Sequence, residues 1–335
     1  MIYYRVIALL FLSLSVSCSS VSSYKIINKE GFEEGQEIKE QSKFLVSSMA
    51  NASRKLHDIA WPIMISNLDS CQNSKINAFG LMIAHLEDIP SSLAPSFYAA
   101  SPINSLINSK ADLPMIVSVA KDSPADRAKI IEGDLIISIN NSIVSYKNYK
   151  RLLDDAAQKG SLKIRIKRLE EKITYELESE LICGYPVQAM ISPIPNAYAD
   201  GSKIYITIAT LDFVKDDQEI AFLIAHELAH NIHHYKGEAL YESQGNPLAI
   251  EEKPSLQKIT DLLIFQTEEK ETEADLYGVE FAIKAGIAQD KVANYFRRLT
   301  IYMPQLMKNS FFRMHPGNAK RVADIERKLK ELNSN

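Results

Sequence analysis

The chain has 335 residues, 46% of them hydrophobic and 24% charged, with a formal net charge of -4. That length accommodates two folded units plus an N-terminal segment. The composition is that of an ordinary globular protein rather than a fibrous or disordered one, and the mild negative charge gives nucleic acid no electrostatic hold.

Residues 1–17 place Arg5 ahead of an apolar run from Val6 to about Val16, the pattern of an export signal peptide. Ser15-Val16-Ser17-Cys18 resembles a bacterial lipobox, so Cys18 is expected to carry lipid and to become the first residue of the mature protein. The apolar run is short for a permanent span, and no later segment reaches the roughly 18 uninterrupted apolar residues that a span needs. Attachment to a membrane is thus expected through the lipid, in a bacterial cell envelope on the periplasmic face, and Ser19 favours the outer membrane. Residues 18–35 are rich in Ser, Lys and Glu and read as a flexible tether.

Residues 36–71 begin the folded part. Ile38, Phe44, Leu45, Met49 and Leu56 suit an amphipathic helix as far as His57, and Ile59 to Ile65, interrupted by Pro62, suits a short edge strand. With Cys18 given to lipid, Cys71 and Cys183 remain. An exported thiol pair tends to close, so a disulfide between them is expected, although spacing says nothing about their distance.

Between these cysteines, residues 72–182 follow a β-rich pattern. Met115 to Val119 reads as a strand and Asp122 to Ala128 as a turn into a short helix that Pro124 can start; Leu135 to Asn141 reads as a second strand. A helix is expected over Tyr146–Ala157, and Leu162, Ile164 and Ile166 alternate as a half-buried strand requires. Ser123-Pro124-Ala125, Ala128 and Gly133-Asp134 through Asn140 together resemble the bacterial PDZ pattern. That resemblance implies a module that adds an extended peptide to a sheet edge and grips its C-terminus. Phe79-Gly80-Leu81 is the single candidate for the carboxylate-binding loop, with the opening of a strand as its other reading.

The chemistry lies further on. Asp216 can cap a helix, with Glu219 reaching back in a capping box, and Ile220, Leu223, Ile224 and Leu228 give that helix an apolar stripe. His226 and His230 then sit four apart on one face, where both imidazoles can reach one zinc ion, and Glu227 is placed to contact a bound water. His233 and His234 read as surface or packing residues. A second helix ending near Gly286 carries Glu271 and Asp275 on one face and Ala274, Gly278 and Ala282 as a small-residue stripe. One of the two carboxylates can complete the site while the other braces a ligand; the spacing does not say which.

These motifs resemble those of metallopeptidase family forty-eight, which includes HtpX-like and Ste-type CAAX prenyl proteases. The resemblance rests on His226-Glu227-Leu228-Ala229-His230, Glu271-Thr272-Glu273-Ala274-Asp275, Asn196 to Gly201, Cys183-Gly184-Tyr185-Pro186-Val187, and His315-Pro316 with Arg321. It implies an α+β chain: a mainly helical gluzincin-type metalloprotease domain with a small β-sheet over 183–335, and an inserted PDZ domain. It further implies Glu271 as the third ligand of one Zn2+ per chain, Asp275 in support and Arg321 holding carboxylates. His315 would stabilise the oxyanion or occupy the open zinc position. In similar enzymes an edge strand, here Ile204 to Ala209, pairs with substrate backbone, with an ordinary core strand as its other reading. The expected activity is zinc metalloendopeptidase cleavage of unfolded or extended exported proteins in quality control. The rival from another class is a PDZ-bearing lipoprotein adaptor with a structural zinc.

Overall fold

The computed structural model describes residues 32–72, 74–103, 112–235, 239–250, 267–302 and 319–334. Of these, the residues up to Glu40 fall to one unit and those from Gln41 on to another; the contacts below lie within the second. Helix α1 (Phe32–Ser66) opens the described chain. Val46, Met49, Ala50, Ser53, Leu56, His57, Ala60, Trp61, Ile63 and Met64 are buried, whereas Asp58 and Pro62 are exposed, which is a helical period. The strand expected over Ile59–Ile65 is therefore the end of this helix. Pro62 is tolerated because it faces solvent, where water can satisfy the carbonyl that its ring leaves unbonded. Two further expectations are corrected by α1. The tether cannot extend to residue 35, since the helix starts at Phe32, and Ile38 and Phe44 lie outside the buried face, 56% and 75% exposed.

A 3-10 turn (Leu68–Cys71) leads into β1 (Lys75–Ala78), β2 (Leu81–Ala84), β3 (Met115–Val119), the one-turn helix α2 (Pro124–Arg127), β4 (Leu135–Ile139) and β5 (Ser142–Ile143). Helix α3 (Tyr149–Lys159), β6 (Ser161–Arg168), β7 (Glu171–Glu178) and β8 (Glu180–Cys183) follow. The antiparallel sheet runs β2-β3-β4-β6-β7, with β5 paired to β4. Helix α3 starts three residues later than its periodicity suggests, because the Asn148 side chain bonds the Ser145 N–H and the Ile143 carbonyl and holds a turn there.

Alternation divides this sheet between two cores. Leu81, Ile116, Ile136, Ile164 and Ile166 pack with Tyr149, Leu153 and Ala156 of α3. Met115, Val117 and Leu135 point the other way, into a core shared with α1. Arg54 Nε of α1 donates to the Val117 carbonyl at 2.8 Å, and His57 Nδ1 lies 3.0 Å from Ser118 Oγ. Strand β1 pairs antiparallel with β8, Lys75 opposite Cys183. That ladder brings together cysteines 112 residues apart, and Cys71 and Cys183 are bonded, with Cα atoms 5.6 Å apart.

The remainder contains β9 (Val187–Met190), β10 (Ala197–Ala199), β11 (Ile204–Thr207), α4 (Ile208–Phe213) and α5 (Asp217–His233). Beyond them come α6 (Glu268–Lys284), α7 (Gln289–Val292), α8 (Asn294–Tyr302) and α9 (Ala319–Ser334). The architecture is α+β. The small sheet has the order β10-β11-β9, antiparallel then parallel. Strand β11 is thus central and not the edge strand expected of Ile204–Ala209; both its backbone edges are used, and the chain turns helical at Ile208, where Thr207 caps α4. The edge alongside α5 belongs to β10.

Candidate metal centre

Helix α5 is buried at every position from Glu219 to Asn231, so its polar residues need partners from the elements around it. Asp216 starts it by accepting from the Gln218 N–H at 3.0 Å. The expected capping box does not close. Glu219 turns instead to Arg298 of α8, whose Nε and Nη2 donate to its two oxygens at 3.0 and 2.7 Å, a charge-assisted fork that outcompetes one backbone N–H.

Helix α6 packs along α5 at close range. A Cβ added to Gly278 would stand 3.0 Å from His226 Cα, so the small-residue stripe with Ala274 and Ala282 sets the separation of the two helices. This closeness presents Glu271 to the histidines. His226 Nε2 and His230 Nε2 lie 3.1 Å apart, with Glu271 Oε2 3.6 Å from the first and Oε1 3.4 Å from the second. Ligand bonds of about 2.0–2.1 Å in tetrahedral array place neighbouring donors roughly 3.3 Å apart, so the three groups fit one zinc-sized ion. All three are buried.

The outer nitrogens explain why the lone pairs converge. His226 Nδ1 lies 3.0 Å from Asp275 Oδ1, and Arg321 of α9 grips both Asp275 oxygens, Nε and Nη2 each at 2.6 Å. Burial alone would raise the Asp275 pKa, but the Arg321 guanidinium and the His226 ring hold it below its ordinary value. Asp275 can then only accept, so His226 carries its proton on Nδ1 and leaves a lone pair on Nε2. Arg321 Nη1 also lies 3.2 Å from Glu271 Oε2, and its guanidinium sits 4.2 Å from the Phe296 ring centroid. Asp275 and Glu271 thus share one arginine while only Glu271 faces both Nε2 atoms.

Three contributors escape the sequence reading. His234, expected at the surface or in packing, has a side chain only 4% exposed; its Nδ1 lies 2.8 Å from His230 Nδ1, and its Nε2 lies 3.0 Å from Glu273. A neutral His234 that donates from Nε2 to Glu273 accepts at Nδ1 from His230, which frees His230 Nε2. Asn231 accepts from the Gly201 N–H at 2.7 Å and donates to the Lys203 carbonyl at 3.1 Å, pinning the β10–β11 turn to α5. Tyr295 of α8 is buried, and burial together with the Glu227 carboxylate raises its pKa. Asn231, directly after His230, and His234, four residues after it, left a trace in sequence; Tyr295 left none. His233 stacks on Tyr277 at 3.9 Å, as a packing residue does.

Glu227 is buried on the same helix, beside His226. His315 and Cys18 lie outside the described residues. Another described cluster, His85 with Glu87 and Asp112, has two exposed members, and His85 Nδ1 is occupied by the Glu87 N–H.

Two histidines and a carboxylate converging from adjacent buried helices, with a second carboxylate beside them and a PDZ-like sheet upstream, define a metallopeptidase-type centre. Residues 156–329 match the model of Peptidase family M48, and residues 115–168 match that of the PDZ domain. The chain belongs to Peptidase family M48. No curated protein matches it. Among solved structures it is similar to "HtrA-type protease AlgW with decapeptide", at 20% identity and TM-score 0.25, over 32% of this chain and 30% of that one. It is also similar to "Crystal Structure of the HtrA3 PDZ Domain Bound to a Phage-Derived Ligand (FGRWV)", at 20% identity and TM-score 0.25, over 33% of this chain and 92% of that one. The chain thus spans under a third of the first of these.

Proposed function

We propose that the protein is a zinc-dependent endopeptidase that cleaves extended segments of exported or envelope polypeptides in protein quality control. The observation that carries this is the convergence of His226 Nε2, His230 Nε2 and the Glu271 carboxylate at 3.1–3.6 Å, each histidine held from behind through its other nitrogen. His226, His230 and Glu271 would hold the zinc, which would supply Lewis acidity to activate a water and polarise the scissile carbonyl.

The chain's own residues do the rest. Glu227 accepts the proton of the attacking water and returns it to the departing amine nitrogen. The buried surroundings from Phe222, Phe296 and Tyr295 keep bulk water from competing and strengthen every charge interaction inside. The outer side of β10, which pairs with no strand among the described residues, supplies backbone groups that an extended substrate pairs with, a mode that reads few side chains. His315 is proposed as the donor to the developing oxyanion.

Attachment through lipid on Cys18 in a bacterial cell envelope, facing the periplasm, is part of the same proposal. No helix of the described residues is long and apolar enough to cross a membrane. The deciding experiment is a Glu227→Gln variant assayed for casein cleavage and metal content. The reading expects one zinc per chain retained and cleavage lost; cleavage by a metal-free protein would defeat it, and cleavage by the loaded variant would remove Glu227 from its role.

A further inference from the structure

The PDZ sheet ends at β2, and Gly80, just before it, adopts φ +79 and stands against Ser123, where a Cβ would collide. This left-handed turn aims three successive N–H groups, of Phe79, Gly80 and Leu81, at one point. That point is filled. Glu242 Oε1 accepts from them at 2.8, 2.5 and 3.4 Å, although Glu242 belongs to the peptidase half of the chain, more than 160 residues on.

The surroundings repeat the chemistry of a bound chain terminus. Glu242–Gln244 touches both β2 and α3, the strand and helix that border a peptide groove, and Ser243 Oγ donates to Asp154 of α3. Tyr241, next to the carboxylate, packs against the PDZ core. An aromatic side chain and a carboxylate therefore enter together, as the last residue of a peptide would bring them. The fit is incomplete in one respect: Glu242 Oε2 is buried with no hydrogen-bond partner among the described residues. Burial, opposed by the three amide bonds, raises the Glu242 pKa to about 8. On its other flank, a small, mainly apolar pocket lies between Glu242, Leu240, Leu81, Trp61, Met64 and Tyr185.

We propose that this protein's peptide groove is closed by its own Tyr241-Glu242 turn, and that a polypeptide C-terminus with a large apolar last residue binds there by displacing Glu242 from the Phe79, Gly80 and Leu81 amides. Displacement reaches the peptidase half directly. The turn follows the metal-site helix, the Leu240 N–H bonds the Gly184 carbonyl at 2.8 Å, and Pro186 bonds Ile204 of β11, two residues from that carbonyl. A peptide in the groove thus competes with a strut between the two halves, so groove occupancy and the β9–β11 sheet beside α5 are coupled. The proposal rests on the PDZ fold and not on peptidase activity, so it is tested by binding.

The probes are fluorescein-labelled Gly-Ser decapeptides ending in Tyr, Phe, Leu or Val, as free acids and as C-terminal amides, titrated by anisotropy into the full chain and its Glu242→Ala variant. If the resting groove is open in at most one molecule in ten, the variant binds a free-acid probe at least about tenfold more tightly than the parent, because apparent affinity scales with the competent fraction. Amides bind neither form. Equal affinity of parent and variant, equal binding of amides, or no binding by either protein overturns the proposal. Should the variant misfold, hydrogen exchange on the parent decides: the free-acid probe must protect amides 79–84 and expose amides 239–245. Protection of the first without exposure of the second also overturns it.

Discussion

His230 Nδ1 lies 2.8 Å from His234 Nδ1, and the far nitrogen of His234 is 3.0 Å from Glu273, so one metal-site histidine is oriented by another that the helix supplies one turn later. The other, His226, is oriented across the helix pair by Asp275 at 3.0 Å. The two props are chemically unequal. A buried carboxylate with its own arginine holds one, and a second imidazole leaning on a half-exposed glutamate holds the other.

The His234 prop is therefore open to a direct test. His234→Ala leaves all three candidate ligands in place but lets the His230 ring rotate and lose its fixed tautomer. Loss of such a partner typically weakens metal affinity about 10–100-fold. Competition with a zinc chelator measures this, and an unchanged affinity would show that the contact is incidental.

Arg321 faces Asp275 and Glu271 while only 4% exposed itself. Replacing it with Met strands two buried carboxylates, a change expected to cost about 3–5 kcal/mol by urea unfolding, whereas Lys should fail to restore it because it lacks the planar fork. Stability within about 0.5 kcal/mol of the parent, the range of ordinary surface changes, would contradict this.

The Cys71–Cys183 bond closes a loop between residues 112 apart in sequence. The chain-entropy model gives about 4–5 kcal/mol for such a loop, as an upper figure. Cys71→Ser/Cys183→Ser should accordingly melt well below the oxidised parent and close to the reduced one. If reductant leaves the parent's melting temperature unmoved, the bond contributes nothing.

His57, on α1, is buried against Ser118, and burial lowers its pKa to about 4 from 6.5. The folded state thus favours the neutral ring. A depressed histidine stabilises fully above the unfolded value of 6.5, and its contribution is lost as pH falls from there toward 4, by up to about 3 kcal/mol at 1.36 kcal/mol per unit. Unfolding free energies measured between pH 7 and 4.5 should decline less in His57→Gln than in the parent; parallel curves would refute the assignment.

Much of the centre was legible before any coordinates. The i,i+4 spacing of His226 and His230 needs only the helical period, and the stripe Ala274, Gly278, Ala282 already implied a close helix approach, which Gly278 against His226 Cα shows. Two local readings failed because tertiary contacts overrode them. Ile59–Ile65 has β-branched residues and a proline, yet burial of Ala60, Trp61, Ile63 and Met64 in the shared core kept it helical; Ile204–Thr207 looked like an edge strand until β9, from earlier in the chain, took its second side.

Sequence by itself determined the metal-site spacing and the alternation of apolar and polar residues along the PDZ strands, because each follows from periods of two or 3.6 residues within one segment, while the α+β class came from the family resemblance. Tertiary structure alone decided which of Glu271 and Asp275 faces both Nε2 atoms, that Asp275 backs His226 from the neighbouring helix, and that Glu242 fills the amides of Phe79, Gly80 and Leu81. These are meetings between groups whose separation depends on how helices and sheets pack, and no local period encodes a distance between segments that fold together only through a shared core.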